Sequence, residues 1–339
     1  MQLRVATWNM QGGGRQFYAK LSHLLKQIYY INDGFQHFRK IFCLQEMGSY
    51  NEFNDLIGGF PQQREIRDDV RELRLLVWET HREPEGYDVA SLLMTYRNDC
   101  YYLFAAWRDA AVEANARCGV GIMVQVDGEQ ASLLLKEVNE HNPINAQMAN
   151  RFFNFAVRPL RAFVDYPVPR NFEPENIRPI IELLITENNQ PVYVFSMHAT
   201  SDNRARDQVL SFVAYLVSYR NNGQPVYCNF IIGGDFNHEP VLRNQQMRMY
   251  NVIPYEIPRE MFGFEEQHTR VVRTCPSTQG PREGALVHEL DYFIVRQYNV
   301  APYAVGWLRR DDGEIVGGVN YIGNLLSDHI IVYTTLNIP

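Results

Sequence analysis

Residues 228–237 read Cys-Asn-Phe-Ile-Ile-Gly-Gly-Asp-Phe-Asn (CNFIIGGDFN), and this stretch decides the fold. A short apolar run that stops at two glycines and is followed at once by Asp235 and Asn237 reads as a buried strand. Its end delivers a carboxylate and an amide. Taken alone, an Asp after Gly-Gly is more often a turn or a cap than a site residue. The same grammar recurs along the chain, however. VAT runs into Trp8-Asn9, IFCL into Gln45-Glu46 and VYVFS into Met197-His198, Asp291 lies within ELDYFIV, and Ser327-Asp328-His329 precedes IIVYTT.

Working outward, β-branched and aromatic runs separated by turn signals predict strands over Leu3–Trp8, Ile41–Gln45, Val89–Tyr96, Tyr101–Trp107 and Gly119–Val126 in the first half of the chain. Ile180–Thr186, Val192–Met197, Cys228–Gly233, Leu290–Val295 and Ile330–Thr334 follow in the second. Apolar residues at helical spacing predict amphipathic helices over Gln16–Tyr30 and Arg204–Arg220, and the charged stretch Glu65–Leu76 reads as a solvated helical face. Asn139–Arg178, richer in Asn, Pro and Arg than its neighbours, reads as long loops beside the site. Many strands with few interspersed helices favour a layered α/β sandwich over a doubly wound parallel sheet. No linker or internal repeat interrupts the chain, so residues 1–339 are expected to form a single domain.

Bulk properties narrow the chemistry. The chain has 339 residues, 46% of them hydrophobic, which is enough for a sizeable core, and its net charge is −7. Bulk positive charge therefore does not supply nucleic-acid affinity, and a phosphate ligand must meet local charge instead. Only Lys20, Lys26, Lys40 and Lys136 are lysines; the other basic residues are arginines, whose planar fork suits bidentate phosphate contacts. Cys43, Cys100, Cys118, Cys228 and Cys275 are widely spaced and odd in number, which argues against a disulfide framework or a zinc site while leaving one disulfide open. No apolar run is long enough to span a bilayer, and no signal peptide is visible ahead of the first expected strand, so a secreted form is expected to have had its leader removed.

G-x-x-x-x-G-K-[ST], H-E-x-x-H, G-x-S-x-G and complete G-x-G-x-x-G motifs are all missing, so nucleotide kinases, zincins and serine hydrolases are disfavoured. The strand ends instead bring carboxylates, two histidines and several amides towards one crevice. That inventory suits a hard, oxygen-liganded cation with phosphate chemistry around it.

The ordered set T-W-N, L-Q-E, M-H-A, G-D-F-N, L-D-Y and S-D-H resembles the signature of the deoxyribonuclease I-like endonuclease/exonuclease/phosphatase superfamily, and the resemblance runs from Val5 to Tyr333. It implies a four-layer αββα sandwich with a crevice at one edge of two packed sheets. Within the superfamily the chain most resembles the catalytic subunits of cytolethal distending toxins. VATWNMQG opens the chain, RPII lies twenty residues before His198, and GDFNHEP matches that branch's G-D-F-N-x-x-P.

Carried over residue by residue, the resemblance makes Glu46 and Asp328 the metal residues. It makes Asn9, Arg117 and Arg178 phosphate-facing, and Asp235 and Asn237 the residues that align the attacking water and the scissile phosphate. His329 becomes an acid/base or transition-state donor oriented by Asp291, and His198 a donor to a phosphate oxygen. Structurally, either arginine could equally serve as half of a surface ion pair. Glu79–Trp107 departs from the toxin branch, and the resemblance assigns no residue there to the acidic partner that orients the equivalent of His198 in deoxyribonuclease I. The resemblance further implies Mg²⁺, with Mn²⁺ or Ca²⁺ as substitutes, DNA as substrate, delivery subunits as partners, secretion and then a place in the host-cell nucleus. A phosphoinositide phosphatase is the alternative within the same fold, and an inactive binding module the alternative outside enzymology.

Overall fold

The structure, a computed structural model, describes residues 2–10, 39–51, 73–82, 87–97, 99–108, 119–126, 154–158, 178–187, 190–200, 205–238, 250–251, 269–272, 290–296, 299–300, 306–307, 329 and 331–337, together with positions 20, 21, 24, 25 and 53. In chain order its strands are β1 (Gln2–Asn9), β2 (Arg39–Gln45), β3 (Leu73–Arg82), β4 (Tyr87–Tyr96), β5 (Asp99–Arg108), β6 (Val120–Val126), β7 (Asn154–Arg158), β8 (Ile180–Glu187) and β9 (Gln190–His198). Helix α1 (Ala205–Ser218) follows, then β10 (Arg220–Asn221), β11 (Gln224–Pro225), β12 (Phe230–Asp235), β13 (Tyr250–Asn251), β14 (Thr269–Val272), β15 (Asp291–Arg296), β16 (Asn299–Val300), β17 (Gly306–Trp307) and β18 (Val332–Asn337).

Among the described residues these strands form two large sheets and a separate two-stranded pair, β10-β11. One large sheet runs β16-β18-β1-β2-β6-β5-β4-β3, with β17 also on β18, and the other runs β13-β14-β15-β12-β9-β8-β7. Most neighbours are antiparallel, but β1 is parallel to β2 and β12 is parallel to β9. Each parallel pair therefore ends together, Asn9 beside Gln45 in the first sheet and Asp235 beside His198 in the second.

Side-chain alternation explains how the layers stack, since successive residues of a strand face opposite sides of the sheet. Leu3, Val5, Ile41, Cys43, Ile181, Leu183, Val192, Val194, Ile231, Phe293 and Val295 form one buried cluster, fed by both sheets. The opposite face of the first sheet, with Ala6, Trp8, Phe42 and Leu44, packs against Leu21, Leu24, Leu25 and Phe53. Positions 21, 24, 25 and 53 are helical. The opposite face of the second sheet, with Phe195, Met197, Phe230 and Ile232, packs against Val209, Phe212, Val213 and Leu216 of α1. Three apolar layers thus separate helix, sheet, sheet and helix: the expected four-layer αββα sandwich.

Two local expectations are corrected. Residues 73–76 are not the end of a charged helix but the start of β3, because Leu73, Leu75 and Val77 offer β4 a run that pairs as a ladder, with a register shift between Leu75 and Val77. The remainder of Glu65–Leu76 lies outside the described residues. Asn139–Arg178 is not all loop either, since Asn154–Arg158 pairs antiparallel with β8 and forms the edge of the second sheet. Cys43, Cys100 and Cys228 are free thiols; Cys118 and Cys275 lie outside the described residues. No described helix is long and apolar enough to cross a membrane.

Candidate active site

The ends of β1, β2, β9, β12 and β15 bring the expected polar residues to one edge of the space between the sheets. Along each strand the inward-facing positions change character towards that edge: Leu3, Val5, Thr7 and Asn9 on β1, and Ile41, Cys43 and Gln45 on β2. The second sheet repeats the change with Val192, Val194, Ser196 and His198 on β9, Ile231, Gly233 and Asp235 on β12, and, in reverse, Val295, Phe293 and Asp291 on β15. A two-residue period therefore carries each strand from apolar core, through small side chains, into the site.

The small side chains let the sheets approach. The Cys43 thiol donates to the Phe195 carbonyl at 3.5 Å, and the Ser196 hydroxyl donates to the Leu44 carbonyl at 3.4 Å. Short side chains from one sheet reach backbone of the other only where the sheets are nearer than the usual ~10 Å. Gly233 belongs to the same close approach: a Cβ there would lie 3.0 Å from the Phe293 ring and 3.1 Å from Cys43 Sγ.

Asp235 stands at the centre. Asn9 Nδ2 donates to its Oδ2 at 2.8 Å, and the Asn237 amide donates to its Oδ1 at 2.9 Å. His198 Nε2 lies 3.6 Å from Asp235 Oδ2 and 3.7 Å from Glu46 Oε1, and His329 Nε2 lies 3.8 Å from Asp235 Oδ2. These three separations are too long for hydrogen bonds and leave the ring nitrogens facing acceptors they do not engage. By contrast, His329 Nδ1 and Asp291 Oδ2 are 2.7 Å apart, the distance of a strong, charge-assisted hydrogen bond. The Trp8 indole N–H donates to the His329 carbonyl at 3.2 Å and holds this residue from the backbone side.

Arg178 and Asn237 meet on one atom, with Arg178 Nη1 donating to the Ala199 carbonyl at 2.6 Å and Asn237 Nδ2 at 2.8 Å. Glu46 and Asn237 both have positive φ, 49° and 48°. Asn adopts this left-handed conformation readily; Glu seldom does, and such strain concentrates where a side chain must be aimed.

Burial sets the protonation states. Desolvation, reinforced by the Arg178 guanidinium and by His329, holds His198 well below its ordinary range, so the imidazole is neutral. Its Nδ1 has no hydrogen-bond partner among the described residues. Desolvation also lifts Asp235 to about 6, against the opposing pull of His329, and lifts Glu46, whose side chain is 22% exposed. The Asp235 charge raises Glu46 further, and the Asp291 charge raises Asp235.

Repulsion along this row of carboxylates is what a divalent cation relieves. Asp235, Asp291 and His329 present ligand-type atoms within 4.8 Å of one another. The His329–Asp291 hydrogen bond already uses one nitrogen of that group, however, so the trio is better suited to orienting the imidazole. Glu46, part-exposed and hydrogen-bonded to Asn9, is the carboxylate best placed to hold an ion, and a Mg²⁺-type site needs only one or two carboxylates plus substrate oxygens. The residues present fit such a cation.

Asn9, Glu46, His198, Asp235, Asn237, Asp291, His329 and Arg178 are therefore brought together as expected; Arg117 and Asp328 lie outside the described residues. Gln45 and Ser196 were given no role from sequence, yet they tie the two sheets beneath the site, Gln45 Nε2 donating to Ser196 Oγ at 3.1 Å. Their only sequence signal is a polar residue at a core-facing position of an apolar strand.

The profile of the Endonuclease/Exonuclease/phosphatase family matches residues 6–329. Among solved structures, the chain is similar to CdtB, the biologically active subunit of cytolethal distending toxin, at 18% identity and a TM-score of 0.51, over 98% of this chain and 96% of that one. It is also similar to the cytolethal distending toxin of Actinobacillus actinomycetemcomitans (15% identity, TM-score 0.47, 98% and 97% covered). A third is D. rerio TDP2 complexed with a single-strand DNA product (11% identity, TM-score 0.46, 99% of each chain covered). No curated protein matches the sequence. At 18% identity the likeness to CdtB establishes the fold.

Proposed function

Because the chain belongs to the endonuclease/exonuclease/phosphatase family, whose chemistry is the hydrolysis of phosphate esters, we propose that it is a Mg²⁺-dependent deoxyribonuclease, the catalytic subunit of a toxin of the cytolethal distending type. The observation that carries the enzymatic reading is the convergence of two differently tuned histidines on one buried carboxylate, His198 neutral and His329 held by Asp291.

In this mechanism Asp235, steadied by the Asn237 backbone N–H, aligns a water for in-line attack on phosphorus together with Asn237, which also orients the scissile phosphate. A carboxylate lifted to about 6 is anionic at pH 7 yet basic enough to accept a proton from that water. His329, as the imidazolium with its Nδ1–H donated to Asp291, presents Nε2–H to the reacting phosphate, stabilises charge as it grows and gives that proton to the departing oxygen. His198 donates to a non-bridging oxygen, and Asn9 and Arg178 orient the phosphate. Glu46, with Asp328, would hold the cation, which supplies Lewis-acid stabilisation when bound.

DNA as substrate and the toxin assignment rest on TWNMQG, RPII and GDFNHEP. On the same footing we place secretion, entry into the host-cell nucleus and delivery subunits as partners. The net charge of −7 favours a second reading, a phosphoinositide phosphatase, because a compact headgroup needs only local arginines whereas a duplex asks for an extended basic surface. Supercoiled-plasmid nicking with Mg²⁺ separates the two when wild type, His198→Ala and EDTA-treated protein are compared and phosphate release from a phosphoinositide is followed in parallel. Nicking by wild type alone supports the nuclease. Phosphate release without nicking keeps the site and replaces the substrate.

A further inference from the structure

Asn9 and Glu46 lie at strand ends of the first sheet, whereas His198, Asp235 and Asp291 lie at strand ends of the second. No peptide ladder fixes the distance between these two half-sites, and within the site itself the Asn9–Asp235 bond at 2.8 Å joins them. Directly beneath them stands a polar chain. The Thr7 hydroxyl donates to Gln45 Oε1 at 3.2 Å, Gln45 Nε2 donates to Ser196 Oγ at 3.1 Å, and Ser196 Oγ donates to the Leu44 carbonyl at 3.4 Å. Gln45 and Ser196 are fully buried, so these bonds are dry and directional.

We infer that Gln45 is a positioning residue: by bonding across the gap to Ser196 it sets the separation of the Glu46 half-site from the His198 half-site. The geometry is short-ranged, because Gln45 is bonded to Glu46 through the main chain and Ser196 lies two residues before His198 on the same face of β9. Glu46 leaves Gln45 with φ of 49°, so a change in the tilt of Gln45 is transmitted to the Glu46 carboxylate. The tie thus acts on the 3.7 Å gap between Glu46 Oε1 and His198 Nε2 without touching substrate. The inference rests on the reading of Glu46 as the cation-holding carboxylate.

The test compares wild type with Gln45→Met, which keeps side-chain length and removes both hydrogen bonds, and with the milder Ser196→Ala and the double variant. Mg²⁺ binding is read from the rise in Tm, and turnover from hydrolysis of bis(p-nitrophenyl) phosphate. Loss of a residue that orients ligands changes cation affinity or activity by about 10- to 100-fold. Gln45→Met should therefore raise the half-saturating Mg²⁺ concentration and lower kcat within that range, leave KM within about twofold, and gain little from adding Ser196→Ala, as expected of coupled partners. If Gln45→Met lowers Tm alone, with Mg²⁺ dependence and kcat unchanged, Gln45 is merely structural and the inference falls. Should Gln45→Met fail to fold, Ser196→Ala decides by the same readouts. A wild type that binds Mg²⁺ but hydrolyses no phosphate ester overturns the proposed function only, since the Mg²⁺ titration still decides the tie. A wild type that does neither overturns both.

Discussion

The space between the two sheets has two ends made of different material. At one end Leu3, Ile41, Leu183, Val192 and Val295 fill it with close-packed hydrocarbon, held together by burial without directional bonds. At the other, Thr7, Gln45, Ser196, Asn9, His198, Asp235 and Asp291 face one another, all buried, and several of their contacts stop short of hydrogen bonding. The apolar end supplies stability that tolerates small errors of position. The polar end takes the solvation penalty of carboxylates out of water, an expense that only a ligand recovers.

If this division is right, substitutions at the two ends should separate activity from stability. The largest effect is expected at the polar end: His329→Ala should lower kcat by about 10²–10³, the usual consequence of losing a transition-state charge donor, while the thermal midpoint stays near wild type. A large fall in midpoint would make His329 part of the fold's support instead. Next comes the boundary. Gly233→Ala inserts a Cβ against Phe293 and Cys43 and should act as a wedge, destabilising by about 1–3 kcal/mol in urea titration and weakening Mg²⁺ binding together. Loss of stability without loss of cation affinity would show that the close approach of the sheets does not set the site. Smaller still, Ile231→Val at the apolar end should cost about 0.5–1.5 kcal/mol and leave turnover per folded molecule unchanged.

The smallest effect is a pH signature of the cation-free protein. Asp235, raised from 3.8 to about 6, binds more protons folded than unfolded in that window, so its contribution to stability is full below 3.8 and is lost as pH rises towards 6. His198, pushed well below 6.5, has the opposite sign, since the unfolded chain binds the extra proton and stability falls as pH drops beneath 6.5. The two oppose each other in wild type. Asp235→Asn should unmask the histidine, giving a midpoint that climbs more steeply with pH between 4 and 6.5; an unchanged slope would mean that Asp235 is not raised.

Much of this was legible in the sequence because the strands announce themselves. IFCLQ, VYVFSMH and FIIGGD are too short and too β-branched for helices, and each ends in a residue that does not belong in hydrocarbon. The period-two passage from Leu3 to Asn9, or from Val192 to His198, is written there too, but only knowledge of which strands face each other turns it into a gradient. β7 escaped notice because five residues, NFAVR, in a polar and proline-rich neighbourhood carry little pattern of their own and are strand only by pairing with β8. The Gln45–Ser196 bond joins positions 151 apart in sequence, where neither residue is unusual.

β18 returns from the far end of the chain to pair with β1, Asn337 opposite Gln2 and Val332 opposite Thr7, and His329 stands just ahead of it with its carbonyl held by Trp8. During synthesis Asn9, Glu46, His198 and Asp235 therefore emerge long before the histidine that completes their arrangement. A chain cut short before residue 329 carries Asn9, Glu46, His198, Asp235 and Asp291 without the imidazole that Asp291 orients, and β1 without the strand that pairs along its edge.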